Sequence, residues 1–141
     1  MTQQQTTVPS DNKIMALEAF EHVPNENVAR YLELGQIIDD LVREKEPGML
    51  VHALTQSSRN EIETVFRWLE VFEDSAALEA HLGSNHVAHH IEQLSNGILT
   101  GQIDLVIYAD WDEDTRAYWQ DRFSAVNFSY AAVESGFYRQ R

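Results

Sequence analysis

The sequence predicts an α+β fold in which four strands and two helices follow in the order β-α-β-β-α-β, with a helix and a strand appended at the C-terminus. Short apolar runs rich in strand-forming residues alternate with segments whose apolar residues recur every three or four positions. Proline, glycine and asparagine punctuate the joints between them. These two patterns carry the expectation.

The elements follow in order. Residues 1–12 form a Gln/Thr-rich tail with little to bury, expected to be loose. Ile14–Phe20 is almost continuously apolar and reads as a strand covered on both faces. Pro24-Asn25-Glu26 opens the first helix, with Asn25 placed to cap its free amides. Val28, Tyr31, Leu32, Gly35, Ile38 and Val42 then make one stripe, and Gly35 lets the helix approach a sheet. Pro47-Gly48 ends it.

Met49–Leu54 is a second strand, Ser57–Asn60 a polar turn, and Ile62–Phe72 a third strand. Asp74 caps the next helix, which breaks at Gly83-Ser84-Asn85 and resumes through about Leu94. Gly97 and Gly101 bracket its exit, and Ile103–Tyr108 is the fourth strand. Beyond Trp111, the stretch Asp112–Phe123 is acidic at its start and reads as a helix, and Val126–Ala132 alternates as a strand. The main unit is therefore expected over 13–111. Residues 112–141 form an extension lying on their own domain or on a partner's.

This order is the split βαβ, or ferredoxin-like, arrangement with an antiparallel sheet. Two helices cover one sheet face and leave the other bare, although strands one, two and four are apolar on both sides. A large apolar face does not stand in water. A second copy laid sheet to sheet is the simplest cover, so a homodimer is expected.

Composition narrows the function. The formal net charge is −13, from 23 acidic against 10 basic residues, and the bases are scattered. Such a field repels phosphate backbones, and nucleic acid is not an expected partner. No apolar run is long enough to span a membrane, and the polar start lacks the basic and apolar regions of a signal peptide. With no cysteine, thiolate metal sites and disulfides are absent, and a cytoplasmic location is the expectation. No P-loop, GxGxxG turn or nucleophile elbow occurs.

Four of the six histidines fall between His81 and His90. On a helical wheel Val87, Ile91 and Leu94 share one stripe, His86 and His90 share its flank at i,i+4 spacing, and His89 points away. His81 sits at the edge of the apolar face beside Leu78 and Leu82. Three roles fit these imidazoles: covering the edge of the core, proton transfer in a pocket under the helix, or holding a metal. Metal binding needs a third ligand that no HExxH pattern or thiol supplies, and none is expected. Glu70 ends the third strand, as a solvated strand end or as a carboxyl group at a pocket mouth with a raised pKa. Glu18 and His52, on strands one and two, point towards the helices or a partner sheet. Tyr31, Phe66, Trp68, His90 and Tyr108 complete the candidate pocket lining, although a tryptophan such as Trp68 is more often core than a substrate platform.

Glu46-Pro-Gly48, Phe66-Arg-Trp-Leu-Glu70-Val-Phe-Glu-Asp74, Ala76-Ala-Leu-Glu-Ala-His81-Leu82 and Ser84-Asn-His86 stand out as motifs. Together they resemble the antibiotic biosynthesis monooxygenase (ABM) family over roughly Ile14–Tyr108. The closing Gly136-Phe-Tyr-Arg139 is similar to the tail of longer members. The resemblance implies a dimeric α/β barrel with an apolar pocket between each sheet and its helices. It also implies oxidation of a small aromatic or quinol substrate without a cofactor. His81 and His86 match the family's recurring histidines and Glu70 its recurring carboxylate, so these three are the catalytic candidates. Haem is not expected, because the position of the haem ligand in related enzymes falls at about Ile91. Isomerases, cyclases and non-catalytic ligand-binding members share the scaffold, and these alternatives stand beside the oxygenase reading.

Overall fold

The computed structural model describes residues 14–137 and Arg139, so the expected N-terminal tail over 1–12 and Tyr138 of the closing motif lie outside the described residues. Five strands form one sheet: β1 (Met15–Pro24), β2 (Met49–Arg59), β3 (Glu63–Phe72), β4 (Ile103–Tyr108) and β5 (Val126–Tyr130), in the spatial order β2-β3-β1-β4-β5. The helices are α1 (Val28–Lys45), α2 (Ser75–Leu82), α3 (Asn85–Ser95) and α4 (Glu113–Arg122). β1 runs antiparallel to β3 and β4, and β2 antiparallel to β3. The β-α-β-β-α-β order is the ferredoxin-like one that the patterning predicts.

β5 pairs in parallel with β4, setting Ile103 against Val126 and Ile107 against Tyr130, so the extension widens its own sheet. Its core is aromatic. Trp111 and Trp119 stack at 6.2 Å, Trp119 and Phe123 at 6.5 Å, and the Arg116 guanidinium lies 4.2 Å over the Tyr130 ring. Arg122 ties the end of α4 back to the end of α2 by donating to the Leu82 and Gly83 carbonyls.

Alternation decides which side chains face the helices. On β1 the odd positions Met15, Leu17, Ala19, Glu21 and Val23 are buried, and the partners that share their face are Phe72, Glu70, Trp68, Phe66 and Thr64 on β3. Ile103, Leu105 and Ile107 continue that face on β4. Tyr31, Leu34, Ile38 and Val42 of α1 pack on it, as do Leu78 and Leu82 of α2 and Val87 and Leu94 of α3. Each such apolar side chain removed from water contributes roughly 2 kcal/mol. A methyl group on Gly35 would meet Leu54 at 3.4 Å and Trp68 at 3.7 Å, which measures how closely α1 lies on the sheet.

Two local expectations are corrected. β1 runs four residues past Phe20 to Pro24, and its outer face alternates in polarity instead of being continuously apolar. Asn25 does not cap α1. It sits in a short 3-10 turn, accepts from Thr64 at 2.8 Å and donates to the Asn60 carbonyl at 3.0 Å, so it pins the β2–β3 turn. The expected cap at Asp74 forms, accepting from Ala77 N, and Ser84 and Asp112 cap α3 and α4 by accepting from Val87 N and Thr115 N.

Candidate active site

A small cavity lies between the inner sheet face and the helices, with about 50 Å³ open to the centres of water molecules. That is room for a few waters and at most one small ring. Leu17, Ile38, Val87 and Leu105 make its walls apolar, while Glu21, His52, Trp68, Glu70, His81 and His90 border it.

His81 is the hub. It lies in the last turn of α2, where Phe72 and Leu82 bury it to 4% exposure. Its Nδ1–H donates to Glu46, at 2.9 Å from Oε1 and 3.0 Å from Oε2. Its Nε2 stands 2.8 Å from Oε1 of Glu70, an ion-pair contact whose direction falls short of an aligned hydrogen bond. One imidazole therefore bridges two carboxylates. Burial alone would push its pKa down, but the charge of Glu70, the hydrogen bonds to Glu46 and the close contact with Glu70 outweigh that and hold it up at about 9. At neutral pH His81 is an imidazolium, an acid and charge stabiliser.

The carboxylates answer in kind. Burial raises Glu70, yet the charge of His81 outweighs it and leaves Glu70 below the ordinary range. This corrects the expectation of a raised pKa there. Glu46 is likewise held low, burial being outweighed by hydrogen bonds and charge from His81 and His86. His86 donates its Nε2–H to Oε2 of Glu46 at 2.6 Å, so it reaches the cavity only through Glu46. Glu46 is placed by a tight turn: Met49 N donates to its carbonyl, and Gly48 lies so near α2 that a methyl group there would meet Ala77 at 2.7 Å. His52 stacks on Trp68 at 4.4 Å and donates from Nδ1 to Asp39 at 2.9 Å.

His90 borders the same cavity, and its Nε2 is buried without a hydrogen-bond partner. Burial pushes it down to about 4, so the ring is neutral. Glu21 faces the cavity from β1, and Tyr31 donates its hydroxyl to Oε1 at 2.5 Å. Burial lifts Glu21 to about 7, against the opposing pull of hydrogen bonds from Tyr31 and Trp68.

Of the sequence candidates, the structure brings Glu70, His81, His52, Trp68 and His90 together around the cavity. Tyr31 and Phe66 stack at 4.6 Å beside it, behind Glu21. Glu18 and Tyr108 are placed elsewhere. They hold even positions on β1 and β4, on the open face, where Glu18 pairs with Arg67 and accepts from the Tyr108 hydroxyl at 2.6 Å. Glu21 and Glu46 are absent from the sequence candidates. Strict alternation counted from Leu17 and Ala19 finds Glu21, whereas Glu46 meets its partners only across 35 and 40 residues. Among the described residues no group of three or more His, Cys, Asp or Glu is placed to hold a metal ion. No helix among them is long and apolar enough to cross a membrane.

The ferredoxin-like sheet and its helices thus enclose an imidazole–carboxylate cluster in an apolar hollow. The sequence profile of the antibiotic biosynthesis monooxygenase family matches residues 14–93, and the chain belongs to that family. Membership supports a general monooxygenase-like role. No curated protein matches the sequence. Among solved structures the chain is similar to a conserved protein of Methanosarcina mazei Go1, at 22% identity and a TM-score of 0.62 over 72% of this chain and 97% of that one. It is similar to Rv0793 of Mycobacterium tuberculosis, at 21% identity and a TM-score of 0.60 over 72% and 98%. MupZ of Pseudomonas fluorescens covers more, 89% of this chain and 93% of its own, at 18% identity and a TM-score of 0.58. These likenesses show the fold.

Proposed function

We propose that the protein is a cofactor-independent monooxygenase that oxidises a small phenol- or quinol-type aromatic inside this cavity, as a homodimer joined through the open sheet face. One observation carries the reading. A single apolar hollow holds three groups kept in separate protonation states: His81 charged up to about 9, His90 neutral down to about 4, and Glu21 between them at about 7. Titratable groups pushed apart in one site mark acid–base assignments.

The chemistry asked of the protein is modest. Removing a proton from an electron-rich phenol or hydroquinone makes an anion able to reduce dioxygen, and an apolar wall keeps that anion from water. For a hydroquinone, the diol and one dioxygen become a hydroxyquinone and one water, so dioxygen supplies both the added oxygen atom and the oxidant. The imidazolium of His81 supplies a positive group beside the developing anion.

Oxygen uptake with single-ring phenols and hydroquinones tests the reading. The expected result is one dioxygen consumed per substrate, with the rate falling on the order of 100-fold in His81→Ala. No uptake with any member of either class would refute it. The pairing of a charged acid, His81, with a carboxyl group near neutrality, Glu21, also suits an isomerase or cyclase. Turnover that persists without oxygen would establish that second reading.

A further inference from the structure

Three carboxyl groups lie at or beside the cavity, and the structure treats them unequally. Glu46 is held by His81 and His86, and Glu70 by His81. Glu21 has no cationic partner among the described residues. It holds an inner position of β1, opposite Phe66 of β3, and is buried to 3% exposure. The Tyr31 hydroxyl occupies Oε1, and the carboxyl group borders the hollow where a ligand would lie.

We propose that Glu21 is the catalytic base that takes the hydroxyl proton of the substrate, and that the site therefore selects neutral phenolic ligands over carboxylates. The catalytic half rests on the oxygenase reading; the selectivity does not. In the step itself the phenol O–H bond breaks, its electron pair stays on the phenol oxygen, and the proton passes to the Glu21 carboxylate. Nothing is oxidised or reduced until dioxygen reacts, and the proton returns in the water that leaves.

The surroundings favour this assignment. The groups facing Glu21 are Tyr31 from α1, Trp68 and Glu70 from β3, His52 from β2, His81 from α2 and His90 from α3, while β4 offers the apolar Ile103 and Leu105. The His81 charge is already shared between two carboxylates, and His90 is neutral. Glu70 adds repulsion, and burial with that charge holds the Glu21 carboxyl near neutrality, where a proton acceptor works best. A ligand that arrives as an anion adds a charge to that of Glu21, against a His81 charge already shared between Glu46 and Glu70, whereas a neutral phenol that gives its proton to Glu21 leaves the net charge of the cavity unchanged.

The test binds 4-fluorophenol and 4-fluorobenzoate to the full chain, followed by fluorine NMR at about pH 6 and about pH 8. We expect the phenol to bind at least about tenfold more tightly than the benzoate, with the gap wider at the higher pH, where Glu21 is more fully charged. The isosteric, uncharged Glu21→Gln should close most of that gap. With a hydroquinone it should also lower kcat by about 10²- to 10⁴-fold with little change in KM. Tyr31→Phe keeps the carboxylate, so it should keep the preference and move its pH midpoint upward, because the lost hydrogen bond had favoured the anion. Equal binding of the two ligands, failure of both to bind, or a preference unchanged in Glu21→Gln would overturn the proposal. If the preference appears but no phenol or hydroquinone drives oxygen uptake, the oxygenase reading falls and the selectivity of the site stands.

Discussion

Glu46 accepts a hydrogen bond from Nδ1 of His81 at 2.9 Å across 35 residues of sequence, and that one bond joins the turn before β2 to the end of α2. It also fixes the ring so that Nε2 faces Glu70. Glu46→Gln keeps the shape and removes the charge. Titration of His81 by NMR should then fall from about 9 towards the ordinary histidine value of about 6.5. A stability loss of about 2 kcal/mol should accompany it, since a buried charged hydrogen bond is broken. An unchanged His81 titration would show that Glu70 alone holds the imidazolium.

The same cluster sets how stability depends on pH. His81 titrates higher folded than unfolded, so its contribution is complete below about 6.5 and is lost as pH rises through about 9. Glu46 and Glu70 titrate lower folded than unfolded, so theirs is present above the ordinary carboxylate range and lost as pH falls below it. Buried Glu21 adds a decline of similar size between about 4.5 and about 7, because ionising it costs the folded state. Melting temperature should therefore peak on the acid side of neutrality and fall steadily to about pH 9. In His81→Gln the alkaline part of that fall should vanish. A flat profile from pH 6 to pH 9 in the wild type would contradict the assignment.

His90 offers the opposite sign. The folded ring stays neutral down to about 4, whereas the unfolded ring protonates near 6.5, so the unfolded state gains protons first as pH falls. His90→Leu removes both that penalty and the unpartnered Nε2. Urea unfolding should show a gain of about 1 kcal/mol at neutral pH and about 2 kcal/mol more near pH 5. Destabilisation at both pH values would mean that Nε2 has a polar partner of its own.

The order of elements was legible because each carries its own period, and the caps at Asp74, Ser84 and Asp112 are local to their helices. The site was legible only in part. Glu18 and Glu21 stand three positions apart on β1, an odd number, so one faces Arg67 and Tyr108 on the open side and the other faces the cavity. The nearly continuous apolar run Ile14–Phe20 hides that parity, since Ala16 and Phe20 look as fit to be buried as Leu17 and Ala19 on the other face. Asn25 shows the same limit on a smaller scale. Its chemistry suits a helix cap, but Thr64 and the Asn60 carbonyl lie closer once β1 and β3 have paired.

The open sheet face bears on assembly. Phe20, Val65, Leu69, Val71 and Val106 stand there half-buried, and Val51 is 39% exposed, around the Glu18–Arg67 pair at the centre. An apolar field of that kind favours a partner, and the central ion pair would fix its register by demanding complementary polar contacts. Sedimentation of the wild type at micromolar concentration should give a dimer. Leu69→Asp sets an unpaired charge beside that centre, and should shift the protein to monomer while the His81 titration stays at about 9, because Leu69 lies on the face away from the cavity. A wild type that sediments as a monomer would remove the sheet-to-sheet dimer. Loss of the His81 titration along with the dimer would mean that the two faces are coupled through β3.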